Sequence, residues 1–316
     1  MTVFSDIERT EMSPYFMAIR TIFLRPEKGR AIPALLAGSV IWGLFWWPLK
    51  AFDAAGIHSG FVQVFAYSLS ALVLLPFVWR RLSVWRNQSG LLLLIALLGG
   101  WANASFATSL AEGSVVRVML LFYLAPVWTI IAARIFLDEA FTRLRLFALM
   151  LALAGLFATL GGPAVFAAPL SAIDLLALSS GLAFALNNVA IRAGHGLPEL
   201  IRALAVFAGC AVISLGFMFC NPQPFPALNA LHVWGLVAIG LLWILPGTLA
   251  TFYGVARLDA GRAAILLLTE LVVGVFSAML IGAEHLSLQE AIGGALILSA
   301  AVLEARSESK AEEKYA

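Results

Sequence analysis

Glu270 is the acidic residue nearest the centre of a long apolar stretch in this chain of 316 residues. A charge placed in such a stretch costs roughly a few kcal/mol in lipid unless it is paired or hydrated. Its position predicts a functional carboxyl group, which either couples protons or binds an amine. A structural role also stays open, in which Glu270 is protonated or hydrogen-bonded and only packs two segments together.

Other polar and aromatic side chains occur in equally apolar surroundings. The amides and hydroxyls among them could bind the charged ends of an amino acid, since they both donate and accept hydrogen bonds. Two tryptophans could stack against an apolar or aromatic ligand. Structural hydrogen bonding and ordinary packing are the alternatives for each. The candidates are Trp42, Trp101, Asn103, Tyr123, Asn187, Asn188, Tyr253 and Thr269.

Three prolines, Pro48, Pro126 and Pro246, lie inside apolar stretches. Each lacks an N–H, so the helix cannot satisfy the carbonyl four residues earlier. These carbonyls belong to Leu44, Phe122 and Leu242. We expect the prolines to act as hinges beside a hydrated cavity, with an inert kink as the alternative.

Lys50 and Arg192 each end an apolar stretch. Such side chains can extend to the membrane interface, which is their structural interpretation. They could also gate the two mouths of a pathway by pairing with acids. The expected partners are Asp53 or Glu112 for Lys50, and Glu199 for Arg192.

The composition excludes several classes of protein. Hydrophobic residues make up 62% of the chain and charged residues 12%, against about a quarter charged in an ordinary globular domain. A net charge of +2 without a basic patch argues against nucleic-acid binding. The sequence lacks a phosphate-binding loop, a Ser/His/Asp set and HExxH, so we expect no enzyme, catalytic residue or cofactor. Cys210 and Cys220 predict neither a disulfide nor a metal site.

The apolar stretches are long enough to cross a bilayer, whose core of about 30 Å takes roughly 20 helical residues. We predict an all-α integral membrane protein with ten transmembrane helices. Spans 1 to 10 are expected near 31–50, 60–79, 91–110, 114–136, 142–161, 173–191, 200–219, 232–256, 261–282 and 287–304.

Positive charge predicts the orientation of these spans. With both termini in the cytoplasm, 18 of the 20 Lys and Arg residues lie on the cytoplasmic side, as the positive-inside rule requires. Lys50 and Arg117 are the two exceptions.

A repeat explains the exceptions. The segment Ser114–Leu146 resembles a second segment 145 residues later, which pairs Arg117 with Arg262 and Glu139 with Glu284. An offset of 142 residues pairs Lys50 with Arg192. Each copy has five spans, an odd number, so the second copy is inverted in the membrane, as in many secondary transporters. We predict a cytoplasmic segment 1–30, repeats at 31–161 and 171–304, and a cytoplasmic tail 305–316.

Several motifs resemble the drug/metabolite transporter superfamily, in its ten-helix EamA-repeat form. The resemblance covers about residues 30–304 and rests on the order and duplication of short motifs: Trp42-Gly43…Lys50, Tyr123-Leu-Ala-Pro126, Leu-Asp138-Glu139 with Thr142, Gly155, Thr269-Glu270, Gly282-Ala-Glu284 with Ser287, and Gly293-Gly294. The string Tyr123–Ile130 is closest to aromatic amino-acid exporters of the YddG type. Leu271 and Phe184 depart from the family pattern, and Leu271, in place of proline, predicts a straighter span 9.

The resemblance implies a central cavity lined by spans 1, 3, 4, 6, 8 and 9. It leaves spans 5 and 10 as an outer pair, where we expect Ala148/Ala152 and Ala291/Ala295/Ser299 to make close contacts.

The expected function is export of small metabolites by alternating access, with amino acids, aromatic ones included, as substrates. We place the protein in a bacterial-type inner membrane, as a monomer or weak homodimer, with proton coupling left open. The alternatives are a broad-specificity drug or other-metabolite exporter and a membrane receptor or scaffold that transports nothing.

Overall fold

The computed structural model describes residues 28–79, 88–125, 127–128, 131–132, 135, 143–159, 170–193, 197–255, 257 and 260–315. All regular secondary structure within these ranges is helical. The remaining residues, which include Pro126, Glu139 and Thr142, lie outside the described part of the chain. The predicted all-helical class is therefore confirmed for the part that is described.

Twelve α-helices and one π-helical segment are described, and two predicted spans are divided between shorter helices. The helices are α1 Lys28–Gly43, α2 Trp46–Ala54, α3 Ser59–Trp79, α4 Ser89–Glu112, α5 Val115–Phe122, α6 Arg143–Thr159, α7 Ala172–Ala193, α8 Glu199–Cys220, α9 Ala230–Ala238, the π-helix Ile239–Ile244, α10 Leu245–Val255, α11 Ala260–Leu280 and α12 Leu288–Tyr315.

Six helical segments are long and apolar enough to cross a membrane: Arg30–Ala54, Ser59–Trp79, Ser89–Glu112, Ala172–Ile191, Glu199–Cys220 and Ala230–Val255. They coincide with predicted spans 1, 2, 3, 6, 7 and 8. Shorter apolar helices occupy Leu146–Ala158, Leu266–Leu280 and Leu288–Ala300, in predicted spans 5, 9 and 10. Much of predicted span 4 lies outside the described residues, so ten spans stay a prediction.

Helix neighbours follow the symmetry that two related units would produce. The helix of span 3 packs against those of spans 6 and 7, and span 8 packs against spans 1 and 2 in the same way. Span 1 contacts span 9, as span 6 contacts span 4. Exchanging each of these spans for the one five positions away therefore preserves these contacts.

The helix ends meet in two groups at opposite ends of the molecule. At one end, Lys50 contacts Gly113 and Glu284. At the other, Arg257 lies 3.6 Å from Glu199, and Gly254 packs against Ala31. Successive long helices run between these two ends, which we call the Lys50 end and the Arg257 end.

Small residues allow the closest helix contacts. Gly100 of α4 meets the backbone of Gly209 in α8. In the outer pair, Ala148 and Ala152 are buried as predicted. The predicted face of α12 is wrong, because Ala295 and Ser299 are exposed. The packed face of α12 instead carries Gly293 and Ile297, which approach Gly155, while Ala291 is half-buried.

Candidate functional site

The first helix break lies at Leu44 and Phe45, between α1 and α2. It precedes Pro48 by one turn, which agrees with the helix-breaking effect expected of that proline. The Leu44 carbonyl, which has no i-to-i+4 donor because of Pro48, accepts instead from the Trp47 N–H over 3.1 Å. A tighter, i-to-i+3 turn satisfies the group that Pro48 leaves without a helical donor.

A second break follows α5 at Tyr123 and Leu124, just before Pro126. The Phe122 carbonyl, which Pro126 cannot bond, lies against Gly181 of α7. A Cβ atom added to Gly181 would lie 2.7 Å from this oxygen. Glycine at position 181 therefore lets the interrupted helix approach α7.

The third irregularity is the π-helix Ile239–Ile244, which ends two residues before Pro246. Two hydrogen bonds connect it to neighbouring helices. The indole N–H of Trp243 donates to the Ile41 carbonyl at 2.8 Å, and the Ser70 hydroxyl donates to the Gly240 carbonyl at 2.9 Å. Such wide turns often occur at functional sites, since they release backbone groups from the regular helical pattern.

Glu270 lies on α11, which runs without interruption from Ala260 to Leu280 and so confirms the straighter span 9. A Cβ atom added to Gly43, the last residue of α1, would lie 2.7 Å from the Glu270 carbonyl oxygen. Helix α11 therefore crosses α1 at the break that follows α1. The Glu270 residue is half-buried. Among the described residues, no basic side chain lies within 4.0 Å of its carboxyl group, so no ion pair neutralises it there.

Tyr123 brings the second break to the same place. Its buried hydroxyl donates to the Leu267 carbonyl at 3.0 Å, and the Glu270 carboxyl lies beside it. A phenol has a single O–H proton. Because Leu267 takes that proton, the hydroxyl oxygen is left to accept a hydrogen bond, which a protonated Glu270 can donate.

Trp42 extends this region toward α10. Its ring meets Phe45 edge to face, with centroids 5.2 Å apart. A Cβ atom added to Gly247, the residue after Pro246, would lie 3.4 Å from the Trp42 indole nitrogen. Trp42, Gly43, Tyr123, Gly247 and Glu270 thus join all three irregular helices to α11. We call these five residues the crossing; Thr269, which precedes Glu270, is half-buried.

Trp101 and Asn103 have other neighbours. The Trp101 indole donates to Ser179 at 3.1 Å and its ring meets Phe217, so it lies against α7 and α8. The Asn103 amide donates to the Gly99 carbonyl at 2.8 Å and accepts from Tyr67 at 3.3 Å. These bonds favour the structural interpretation of Asn103.

Asn187 has an unused acceptor. It is buried, its side-chain oxygen has no hydrogen-bond partner in the described part of the chain, and this amide lies against Gly99. Asn188, the next residue, is half-buried. Of the two predicted amides in α7, Asn187 is the one with an unmet bonding capacity.

Tyr253 belongs to the Arg257 end. The Arg257 guanidinium stacks on its ring at 3.8 Å and also lies 3.6 Å from Glu199. This stacking covers one face of the Tyr253 ring. The side chain of Arg192, expected to pair with Glu199, lies outside the described residues.

Lys50 is bonded at the opposite end, but its acidic partner differs from the expectation. Its ammonium group lies 3.6 Å from Glu284 and donates to the Gly113 carbonyl at 2.9 Å. Asp53, one of the expected partners, lies 3.8 Å from His58. Arg117, the other exceptional cation, pairs with Asp174 at 2.6 Å. Lys50 and Arg117, the two exceptions to the predicted cytoplasmic excess of positive charge, are therefore both neutralised by carboxylates.

Polar residues of α3 were missed by the sequence analysis. Gln63 is buried and bonds Thr108 and Ser214, while Tyr67 bonds Asn103 and Ser70 bonds Gly240. Positions 63, 67 and 70 follow the i, i+4, i+7 pattern of one helix face. A stripe of polar residues on one face of an otherwise apolar span is the sequence signal that could have identified them.

Comparison with known proteins supports the fold and identifies the family. A solved crystal structure of a protein whose description states no function has a TM-score of 0.58 at 16% identity, covering 87% of this chain and 96% of its own. No curated protein matches this sequence significantly. The model of the EamA-like transporter family matches twice, at residues 29–161 and 171–305. Because these matches cover most of the sequence, the chain belongs to the EamA-like transporter family.

Proposed function

We propose that this protein exports small metabolites by alternating access across a bacterial-type inner membrane. Its family is one of transporters, which also agrees with the expectation that it is not an enzyme. Amino acids, aromatic ones included, are the proposed substrates. Ten spans with both termini in the cytoplasm complete the proposal, on the basis of apolar run length and the positive-inside rule.

The observation that carries this function is the position of Glu270 within the crossing. Broken helices place polar groups near the membrane midplane in many secondary transporters. Here two helix breaks, at Gly43 and Tyr123, lie against α11 beside a half-buried carboxyl group that lacks a basic partner among the described residues, and Trp42 lies next to Gly43. The carboxyl can accept a substrate ammonium group or carry a proton, and the Trp42 ring can stack on an apolar side chain.

Efflux from proteoliposomes tests the proposal. Vesicles containing the purified protein are loaded either with a panel of labelled amino acids or with labelled cationic drugs, and are diluted with and without a proton gradient. We expect protein-dependent efflux of amino acids, with aromatic ones among those exported. Efflux of cationic drugs without amino acids would favour the broad exporter, and absence of any solute flux would favour a receptor or scaffold.

A control variant separates the crossing from acidic residues in general. Glu290 is half-buried and accepts hydrogen bonds from Ser287 within its own turn. Glu290→Gln therefore removes one carboxylate while leaving the crossing intact. We expect it to transport as the unaltered protein does.

A further inference from the structure

The carboxylate of Glu284 binds the start of a helix in the other repeat. It accepts from the Ser114 hydroxyl at 2.9 Å, the Val115 N–H at 2.9 Å and the Val116 N–H at 3.1 Å. These groups begin α5, whose first N–H groups have no partner within the helix. The positive end of the helix dipole also favours a carboxylate at this position.

Lys50 adds a third element to the same contact. It lies 3.6 Å from Glu284 and donates to the Gly113 carbonyl. It thereby links α2, the turn before α5 and the turn after α11. The Glu284 residue is half-buried, so water competes for these bonds less than it would at an open surface.

A second acid in the same turn, Glu290, makes its hydrogen bonds locally, so the turn forms without needing the long-range contact of Glu284. Glu290 lies six residues later and bonds Ser287 within the turn that begins α12. Glu284 instead bonds residues about 170 positions away in sequence. One turn therefore carries Glu290, which bonds its own turn and lies within electrostatic reach of Arg117 in α5, and Glu284, which binds the first N–H groups of α5 directly.

The contact lies over a packed junction of the two repeats. The Trp46 indole donates to the Ser277 hydroxyl at 2.9 Å, and both residues are buried. The Trp46 ring also lies close to Gly282, two residues before Glu284. Separating α2 and α5 from the end of α11 would break the Glu284 bonds and uncover Ser277.

We propose that Glu284, Lys50 and the start of α5 form a latch that holds the Lys50 end of the transporter closed. This inference rests on the proposed alternating access, in which each end must open in turn. Opening of the Lys50 end releases the Glu284 carboxylate from α5 and Lys50. Closing restores the helix cap and the ion pair together.

Cysteine labelling tests the latch without any substrate. The parent carries Cys220→Ser, which removes the exposed native thiol, and Ser277→Cys as a reporter behind the latch. A membrane-impermeant maleimide is added to each side of the membrane in turn. Glu284→Gln and Lys50→Met each weaken the latch, and Asp53→Asn, at an exposed carboxylate of α2 that pairs with His58, is the matched control.

We expect Glu284→Gln to raise the labelling rate about tenfold from the Lys50 side alone, because charge-assisted hydrogen bonds are roughly twice as strong as neutral ones. Lys50→Met should raise it less, since the bonds to α5 are retained, and Asp53→Asn should match the parent. If Glu284→Gln fails to fold, Lys50→Met and Ser114→Ala decide the question. Equal labelling of the latch variants and the control would overturn the latch, whatever the result of the efflux experiment.

Discussion

Gly209 offers a quantitative test of the helix arrangement. It lies in α8 where that helix meets α4, and the added Cβ atom of Gly209→Ala would lie 2.6 Å from the carbonyl carbon of Ala96 and closer still to its oxygen. Backbone atoms cannot rotate away as the end of a side chain can. The two helices would have to separate by at least about 0.8 Å to restore ordinary contact at 3.4 Å.

The expected magnitude follows from two opposing effects. Overpacking of this kind costs about 1–3 kcal/mol. Replacement of glycine by alanine in a helix contributes roughly 0.5–1 kcal/mol in the favourable direction. Rigid backbone on both sides of the contact places Gly209→Ala at the costly end of the range, so we expect a net loss of about 2–2.5 kcal/mol.

Gly216 provides the control within the same helix. A Cβ atom added there meets nothing within 4 Å, so Gly216→Ala keeps only the helical gain. Thermal unfolding in detergent, followed by tryptophan fluorescence, should place Gly209→Ala a few degrees below the unaltered protein and Gly216→Ala at or above it. If Gly209→Ala unfolds at or above the temperature of Gly216→Ala, the described contact between α4 and α8 is wrong.

Three further substitutions test the irregular helices. Gly181→Ala should slow transport severalfold and lower the thermal midpoint, because its methyl group would meet the Phe122 carbonyl at 2.7 Å; normal transport rates would argue against this approach of α5 to α7. Ser70→Ala should cost about 0.5–1.5 kcal/mol of unfolding free energy, since it removes the hydroxyl donor to the Gly240 carbonyl of the π-helix, which keeps the Leu245 N–H; an unchanged midpoint would exclude a structural role for the bond. Trp46→Phe should cost about 1 kcal/mol or more by removing the indole donor to Ser277, and Trp47→Phe, at an exposed neighbouring position, should cost less.

The helices themselves could largely be predicted from the sequence. Apolar run length locates most of them because a helix in lipid must satisfy its own backbone. Pro48 and Pro126 likewise indicate the two breaks, since neither can donate to the preceding turn. The single residue Leu271, in place of a proline, is enough to predict the uninterrupted α11.

The partners of the polar residues could not be predicted in the same way. Periodicity shows which residues share a helix face, but not which helix lies opposite. Lys50 has Asp53 close in sequence, yet it pairs with Glu284 from the other repeat. Trp101 is similarly placed by α7 and α8 rather than by features of its own span. The shared helix face of Gln63, Tyr67 and Ser70 could have been predicted from their spacing in the sequence. Their hydrogen-bond partners could not, because they lie on three different helices.

The most direct test of the proposed site is the pH dependence of efflux for Glu270→Gln. Glutamine keeps the size and hydrogen-bonding capacity of the side chain but can neither carry a proton nor neutralise an amine. In proteoliposomes between about pH 5.5 and 8, we expect Glu270→Gln to lower amino-acid efflux about tenfold or to abolish its dependence on pH, as loss of a proton-transfer group does. Glu290→Gln should retain both the rate and the profile. Efflux by Glu270→Gln at the unaltered rate across this range would contradict a role for Glu270 in transport.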